Sequence, residues 1–170
     1  IAGEDIVAHS INDILVKGAD PFYFLDYIAC EKLDKTHILD VIEGMSKTCT
    51  RYRCPLVGGE TAEMPNIYNK NEIDIAGCIT GIAEKEDIID GKKNIKVEDH
   101  VIGLYSYGLH TNGFSLLRKI FKNVELNKSF VDWVKQPHRC YYDEIKLLDD
   151  ITINGLVHIT GGGLIDNPPR

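Results

Sequence analysis

The sequence has 170 residues, 44% hydrophobic, 26% charged and 8% aromatic, with 19 Lys and Arg against 26 Asp and Glu for a net charge of -7. At ~150 residues per domain this suits one domain or two small ones, and the composition excludes disordered, collagen-like and coiled-coil chains. The acid excess, with no basic cluster to offset it, argues against nucleic acid as a partner, and no run approaches the ~18 apolar residues of a membrane span.

In chain order, Ala8, Ile11 and Leu15 share one face of a helix expected over 8–18, which Gly18 would close as a left-handed cap. An apolar, aromatic-rich run over 21–30 predicts a buried strand. Ile38, Val41, Ile42, Met45 and Cys49 then repeat at helical spacing behind Asp34, a suitable N-cap. Residues 55–57 read as a short strand that gives way to a loop at Gly58-Gly59, and 73–83 as a strand passing close to another backbone. The charged stretch 84–99 marks a domain boundary, giving an N-terminal unit over 1–88 and a C-terminal unit over 89–170. Beyond it the pattern predicts a strand over 101–105, a helix from about Asn112, mostly helix over 131–150 despite Pro137, and a strand over 155–160. Strands alternating with helices place the chain in the mixed α/β class.

The five cysteines, Cys30, Cys49, Cys54, Cys78 and Cys140, form no C-x-x-C pair, which points to a reducing, cytoplasmic setting and no cysteine chemistry. The chain begins at Ile1 and ends directly after a glycine-rich turn, as expected of an internal piece of a longer protein. Gly58-Gly59-Glu60 reads either as a backbone approach to a ligand, with Glu60 offering oxygen to a hard cation, or as a turn with a solvated acid. Asp13 and Asp26 lie in apolar company, where an unpaired carboxylate is costly, so each should have a partner. The loop 106–115 combines glycines, hydroxyls, an amide and His110, the composition of a binding loop in which His110 could exchange protons. Thr160-Gly161-Gly162-Gly163 suits an anion-holding turn but matches neither common nucleotide fingerprint. His9, His37, His100 and His138 read as surface or capping residues, and His158 as a packing residue in a strand.

Asn12-Asp13, Phe24-Leu25-Asp26-Tyr27, the octapeptide from Gly58 to Pro65, the block from Gly108 to Arg118 and His158 to Gly163 together resemble the phosphoribosylformylglycinamidine cyclo-ligase (aminoimidazole ribonucleotide synthetase) family. The resemblance runs over essentially the whole chain. It implies a two-domain α/β fold whose N-terminal domain pairs with a second copy in a dimeric β-barrel. It also implies an ATP-dependent ring closure of formylglycinamidine ribonucleotide in purine biosynthesis, in a cytoplasmic homodimer without membrane or nucleic-acid partners. By the same resemblance Asp13 and Glu60 would hold Mg²⁺, supported by Asp26, and His110 with Asp13 would be catalytic. Gly58, Gly59, Thr61 and Gly161 to Gly163 would meet the nucleotide or a phosphate. His110, Thr111, Asn112, Gly113 and Ser115 would bind substrate. Leu109 stands where the family usually has proline. The family's lysine-bearing nucleotide segment and part of its C-terminal domain have no counterpart here. Sister ATP-using enzymes of the same architecture, making formylglycinamidine ribonucleotide, selenophosphate or thiamine diphosphate, are the nearest alternatives, and a non-catalytic nucleotide-binding or dimerisation fragment is the other.

Overall fold

Helix α1 runs Ala2–Leu15, with Glu4 and Asp5 in its first turn, where carboxylates complement the exposed amides of a helix start. It therefore begins earlier than the apolar spacing predicts, while Gly18, at φ +77°, turns the chain out of it as expected. A computed structural model describes residues 1–148 and 150–170. Strand β1, Asp20–Cys30, leads to helix α2, Lys35–Arg51, which starts as predicted at Asp34, whose carboxylate accepts from the Thr36 and His37 amides. Strands β2, Leu56–Glu63, and β3, Ile73–Ile82, complete a sheet of order β2-β1-β3, with β1 parallel to β2 and antiparallel to β3. A parallel neighbour needs a crossover, and α2 supplies it.

The core lies between this sheet and the two helices: Val7 and Ile11 from α1, Phe24 and Ile28 from β1, and Met45 and Cys49 from α2, with Tyr52 and Cys54. The helices meet backbone to backbone at Gly3 and Gly44. A Cβ on Gly3 would fall 2.0 Å from the Val41 carbonyl oxygen, so no larger residue fits without separating them.

Three sequence expectations change. The strand at 55–57 does not end at the paired glycines: Gly58 and Gly59 continue β2 beside Leu25 and Asp26, because the ladder with β1 outweighs their weak strand preference. The close backbone approach expected of 73–83 is found at Gly81, where a Cβ would lie 3.2 Å from the Asp20 carbonyl oxygen, and not at Gly77, whose neighbours are the Phe24 and Ile6 side chains. The runs 101–105 and 155–160 are not strands. They have no ladder partner among the described residues, and Val101 is 98% exposed.

The second half instead carries short helices: α3, Gly91–Asn94, after a 3₁₀ turn at Lys85–Asp87, then α4, Phe114–Ile120, α5, Lys128–Val134, α6, Tyr142–Lys146, and α7, Gly163–Asp166. The helix predicted over 131–150 is split on either side of Pro137; of that range, residue 149 lies outside the described residues.

Candidate functional site

One face of α1 carries polar residues at the i, i+3, i+4 spacing: His9, Asn12 and Asp13. Asn12, only 2% exposed, donates from Nδ2 to the Arg139 carbonyl at 2.8 Å and faces His138 Nε2 at 3.1 Å, while its Oδ1 accepts from the Tyr141 amide at 2.9 Å. Asp5, two turns before Asn12, accepts from the His138 amide at 2.8 Å. Together they clamp residues 138–141 against the helix. Burial is the main reason the Asp5 carboxyl is raised above its ordinary range.

Asp13 bridges two imidazoles: His158 Nδ1 lies 2.8 Å from one carboxylate oxygen and His9 Nε2 3.2 Å from the other. His9 Nδ1 in turn lies 2.9 Å from Thr111 Oγ. His138 packs against His110, with ring centres 4.3 Å apart, and both His9 and His158 lie edge-on to it. Four histidines from distant parts of the chain thus meet at the end of α1.

Their partners fix where ring protons sit. The Arg139 carbonyl and Tyr141 amide hold the Asn12 amide in one orientation, so His138 Nε2 accepts and its ring proton is on Nδ1. The Asp13 carboxylate can only accept, so His158 donates from Nδ1 and leaves a lone pair on Nε2. His138 Nδ1, His158 Nε2 and His110 Nε2 are buried without a hydrogen-bond partner among the described residues. Burial lowers the His138 pKa to about 3, and the neighbouring imidazoles His110, His9 and His158 add to the effect. His110 is lowered by burial first and then by His158, Arg139 and His9. His9 is lowered by burial, against an opposing pull from Asp13. His110 also sits at φ 53°, a left-handed conformation rare for a residue with a side chain, which directs the ring inward from its loop.

The residues singled out in the sequence fall into two groups. Asp13, His110 and Thr111 belong to the histidine assembly. The glycine turn joins it through His158 and through Asn112, whose Oδ1 lies 3.3 Å from the position a Cβ on Gly161 would occupy. Gly113 caps α4 at φ 90°, and Ser115 Oγ accepts from Arg118 at 3.4 Å. Beyond Gly161, the turn closes on itself: Asn167 donates to the Gly163 carbonyl at 2.8 Å.

The second group, Asp26, Gly58, Gly59, Glu60 and Thr61, lies on the sheet, and no hydrogen bond or ion pair joins it to the first among the described residues. Asp26 pairs with Gly59 and shares the helix-covered face with Phe24 and Ile28, whereas Glu60 pairs with Tyr27 and projects from the opposite face. A Cβ on Gly59 would sit 2.2 Å from the Asp26 carbonyl oxygen and 2.4 Å from its Oδ1, so this glycine is required by Asp26 itself. Burial raises the Asp26 pKa.

The expected acidic cluster is therefore not formed: Asp13 is engaged by two imidazoles, and Asp26 and Glu60 face opposite sides of the sheet. These residues do not fit a single magnesium cradle of converging oxygens. The donors that do converge are nitrogens. His9, His138 and His158 each place a ligand atom within 4.8 Å of the others. His9 and His138, read from sequence as surface residues, are thus at the centre of the site. The legible signal was the polar triplet His9, Asn12 and Asp13 on a helix that is otherwise apolar on its buried side.

Comparison with known proteins matches residues 1–83 to the N-terminal domain, and residues 96–170 to the C-terminal domain, of the AIR synthase related proteins. Among curated relatives, proteins named phosphoribosylformylglycinamidine cyclo-ligase are 48% identical in Neisseria meningitidis (99% of this chain, 51% of the relative) and 45% identical in Clostridium perfringens (99% and 51%). The chain spans about half the length of the curated relatives it matches. Two solved structures share the fold at low identity. E. coli HypE, a hydrogenase maturation protein, superimposes with a TM-score of 0.64 at 16% identity over 93% of this chain and 46% of its own. Thiamine monophosphate kinase from Aquifex aeolicus does so with a TM-score of 0.56 at 18% identity, over 87% and 49%.

Proposed function

The chain belongs to the AIR synthase related family through both of its domains, and from that premise we propose that the protein it comes from is an ATP-dependent cyclo-ligase. In this reading ATP phosphorylates the formyl amide oxygen of formylglycinamidine ribonucleotide. The amidine nitrogen of the same molecule then attacks that carbon, and phosphate leaves as the imidazole ring closes. The products are aminoimidazole ribonucleotide, ADP and phosphate. The observation that carries the reading is identity of 45–48% over 99% of the chain to proteins bearing that name.

The loop from His110 to Ser115 and the turn from Gly161 to Gly163 are the proposed substrate side. Neighbouring at Asn112 and Gly161, they present backbone amides, hydroxyls and an amide side chain from two directions, as a phosphorylated, amide-bearing substrate requires. His110 is the candidate for moving the proton of the attacking nitrogen, a role worth about 10² to 10⁴-fold in rate. Asp13 acts through the imidazoles it holds and is a positioning residue in this scheme.

The glycine-bearing strand β2, with Asp26 and Thr61, is the proposed nucleotide side. ATP would bring Mg²⁺ as its counter-ion, and no ligand for that ion is assigned to this chain. Homodimerisation through the sheet is supported by the face opposite α1 and α2, where Leu25 and Cys78 are exposed side by side on β1 and β3. A cytoplasmic setting is supported by five cysteines without a disulfide.

The test is ADP release by the full-length protein with ATP and Mg²⁺, with and without formylglycinamidine ribonucleotide, together with detection of aminoimidazole ribonucleotide. Both products appearing together, and only with that substrate, is the expected result. ATP binding without either product would refute the cyclo-ligase reading.

A further inference from the structure

We infer that His9, His138 and His158 form a binding site for a divalent transition-metal ion of the zinc, cobalt or nickel class, with His110 packed beside it. The three residues come from α1 and two separate loops, yet each brings a ligand atom within 4.8 Å of the others. A tetrahedral ion with bonds of ~2.0–2.1 Å holds its nitrogens ~3.3 Å apart, so small side-chain rotations close the set around it.

The second observation is the unmet hydrogen bonding. His138 is 4% exposed and the His158 side chain 7%, and each has a ring nitrogen with no partner among the described residues. Buried polar atoms of this kind are costly, and those of His138 and His158, on rings packed edge to face, are joined by a third at His110, whose ring packs on His138; packing does not account for them. Imidazole nitrogen suits borderline ions and not Mg²⁺, which prefers oxygen and retains its waters.

The surroundings already resemble an outer ligand shell. Asp13 accepts from His158 Nδ1–H, which leaves Nε2 free to ligate, the carboxylate–imidazole–metal arrangement that orients a ligand and raises its basicity. His9 and His138 are the costly members. His9 holds Asp13 through Nε2 and Thr111 through Nδ1, so it must give up one of them to ligate. To ligate through Nδ1, His138 must move its ring proton to Nε2, which faces the Asn12 amide donor, so Asn12 opposes the ion. That conflict gives a signature that surface binding would lack: exchanging the opposing donor for an acceptor should favour the metal. Once bound, the ion would tie α1 to the loops at 138 and 158 and thus fix the geometry beside His110.

The experiment uses full-length protein stripped of metal and dialysed against Co²⁺ alone, without nucleotide, with bound metal and visible absorption both measured. About one equivalent bound with the intense bands of a low-coordinate nitrogen site, undisturbed by a large excess of Mg²⁺, is the expected result. His9→Ala and His138→Ala should each weaken binding by about tenfold or more. Asn12→Asp, whose carboxylate can accept from His138 Nε2–H, should bind Co²⁺ more tightly than Asn12→Ala. Circular dichroism of each variant reports its fold. If the variants unfold, the wild type still decides, since Co²⁺ but not Mg²⁺ should raise its melting temperature. No bound Co²⁺ in the wild type, or binding unchanged in folded His9→Ala and His138→Ala, overturns the inference. None of these readings depends on the cyclo-ligase activity.

Discussion

Replacing Asn12 with alanine should cost about 3 kcal/mol of stability, more than most single polar side chains are worth. Asn12 is almost fully buried and makes three contacts: to the Arg139 carbonyl, the Tyr141 amide and His138 Nε2. A single net hydrogen bond contributes about 1 kcal/mol, and a buried group left unpaired costs ~1–3 kcal/mol. Three contacts at about 1 kcal/mol each sum to about 3 kcal/mol, and because the backbone partners are only partly buried, water re-satisfies them and adds no further penalty. The assay is urea unfolding of full-length protein, comparing midpoints at unchanged slope. Ser10→Ala is the control. Ser10 lies on the same helix, but its hydroxyl donates only to the Ile6 carbonyl one turn back, and its loss should cost less than ~1 kcal/mol. If Asn12→Ala costs no more than Ser10→Ala, the clamp between α1 and residues 138–141 contributes nothing, and the placement of His138 has to be explained another way.

Gly59→Ala should destabilise the protein by about 1–3 kcal/mol in the absence of nucleotide, because the new methyl meets the Asp26 backbone. Thermal unfolding without ligand measures this, and a change confined to ATP affinity would mean that the glycine serves a ligand rather than β1. His110→Ala in the full-length protein should lower kcat much more than it raises the KM for ATP; the reverse pattern in steady-state kinetics would place His110 on the nucleotide side. The amides of His37 and Thr36 hold the Asp34 carboxyl below its ordinary value of 3.8. Its contribution is therefore complete above that value and is lost as pH falls through the lower, folded one. Asp34→Asn keeps a capping oxygen but should remove this part of the acid sensitivity, which unfolding midpoints between about pH 5 and pH 2 would detect.

Legibility differed between the two halves of the chain for a physical reason. Over α1 to β3 the information is local. Asp34 caps the helix that follows it, Gly18 ends the helix before it, and the apolar repeat from Ile38 to Cys49 needs only the sheet beside it. Even there, the glycines at 58 and 59 misled, because strand pairing is decided by the neighbouring strand and not by the run itself. In the second half, the apolar runs at 101–105 and 155–160 have strand composition but no ladder partner in the described chain, so composition alone did not make them strands. The site was half legible. His110, Thr111 and the glycine turn lie in polar loops that read as binding elements, whereas the contact of His138 with Asn12 spans 126 positions and leaves no mark at either end.

Helix α1 links these two halves of the problem, because its faces do different things. Val7 and Ile11 point into the core and hold the helix against β1 and α2, with Gly3 set directly on the α2 backbone. That seating leaves no freedom to shift the helix along or about its axis, so the positions of His9, Asn12 and Asp13 on the other face are set by core packing and not by the loops they meet. The loops then conform to the helix. Asn12 and Asp5 take the backbone of 138–141, and Asp13 and His9 take His158 and Thr111. A substitution in the core that tilted α1, such as a larger residue at Gly3, should therefore disturb the histidine assembly without touching it. By contrast, a change at Thr111 should loosen one loop and leave the other three imidazoles in place. The rigid partner in this site is the helix, and the order of dependence runs from the core through Asn12 and Asp13 to the imidazoles.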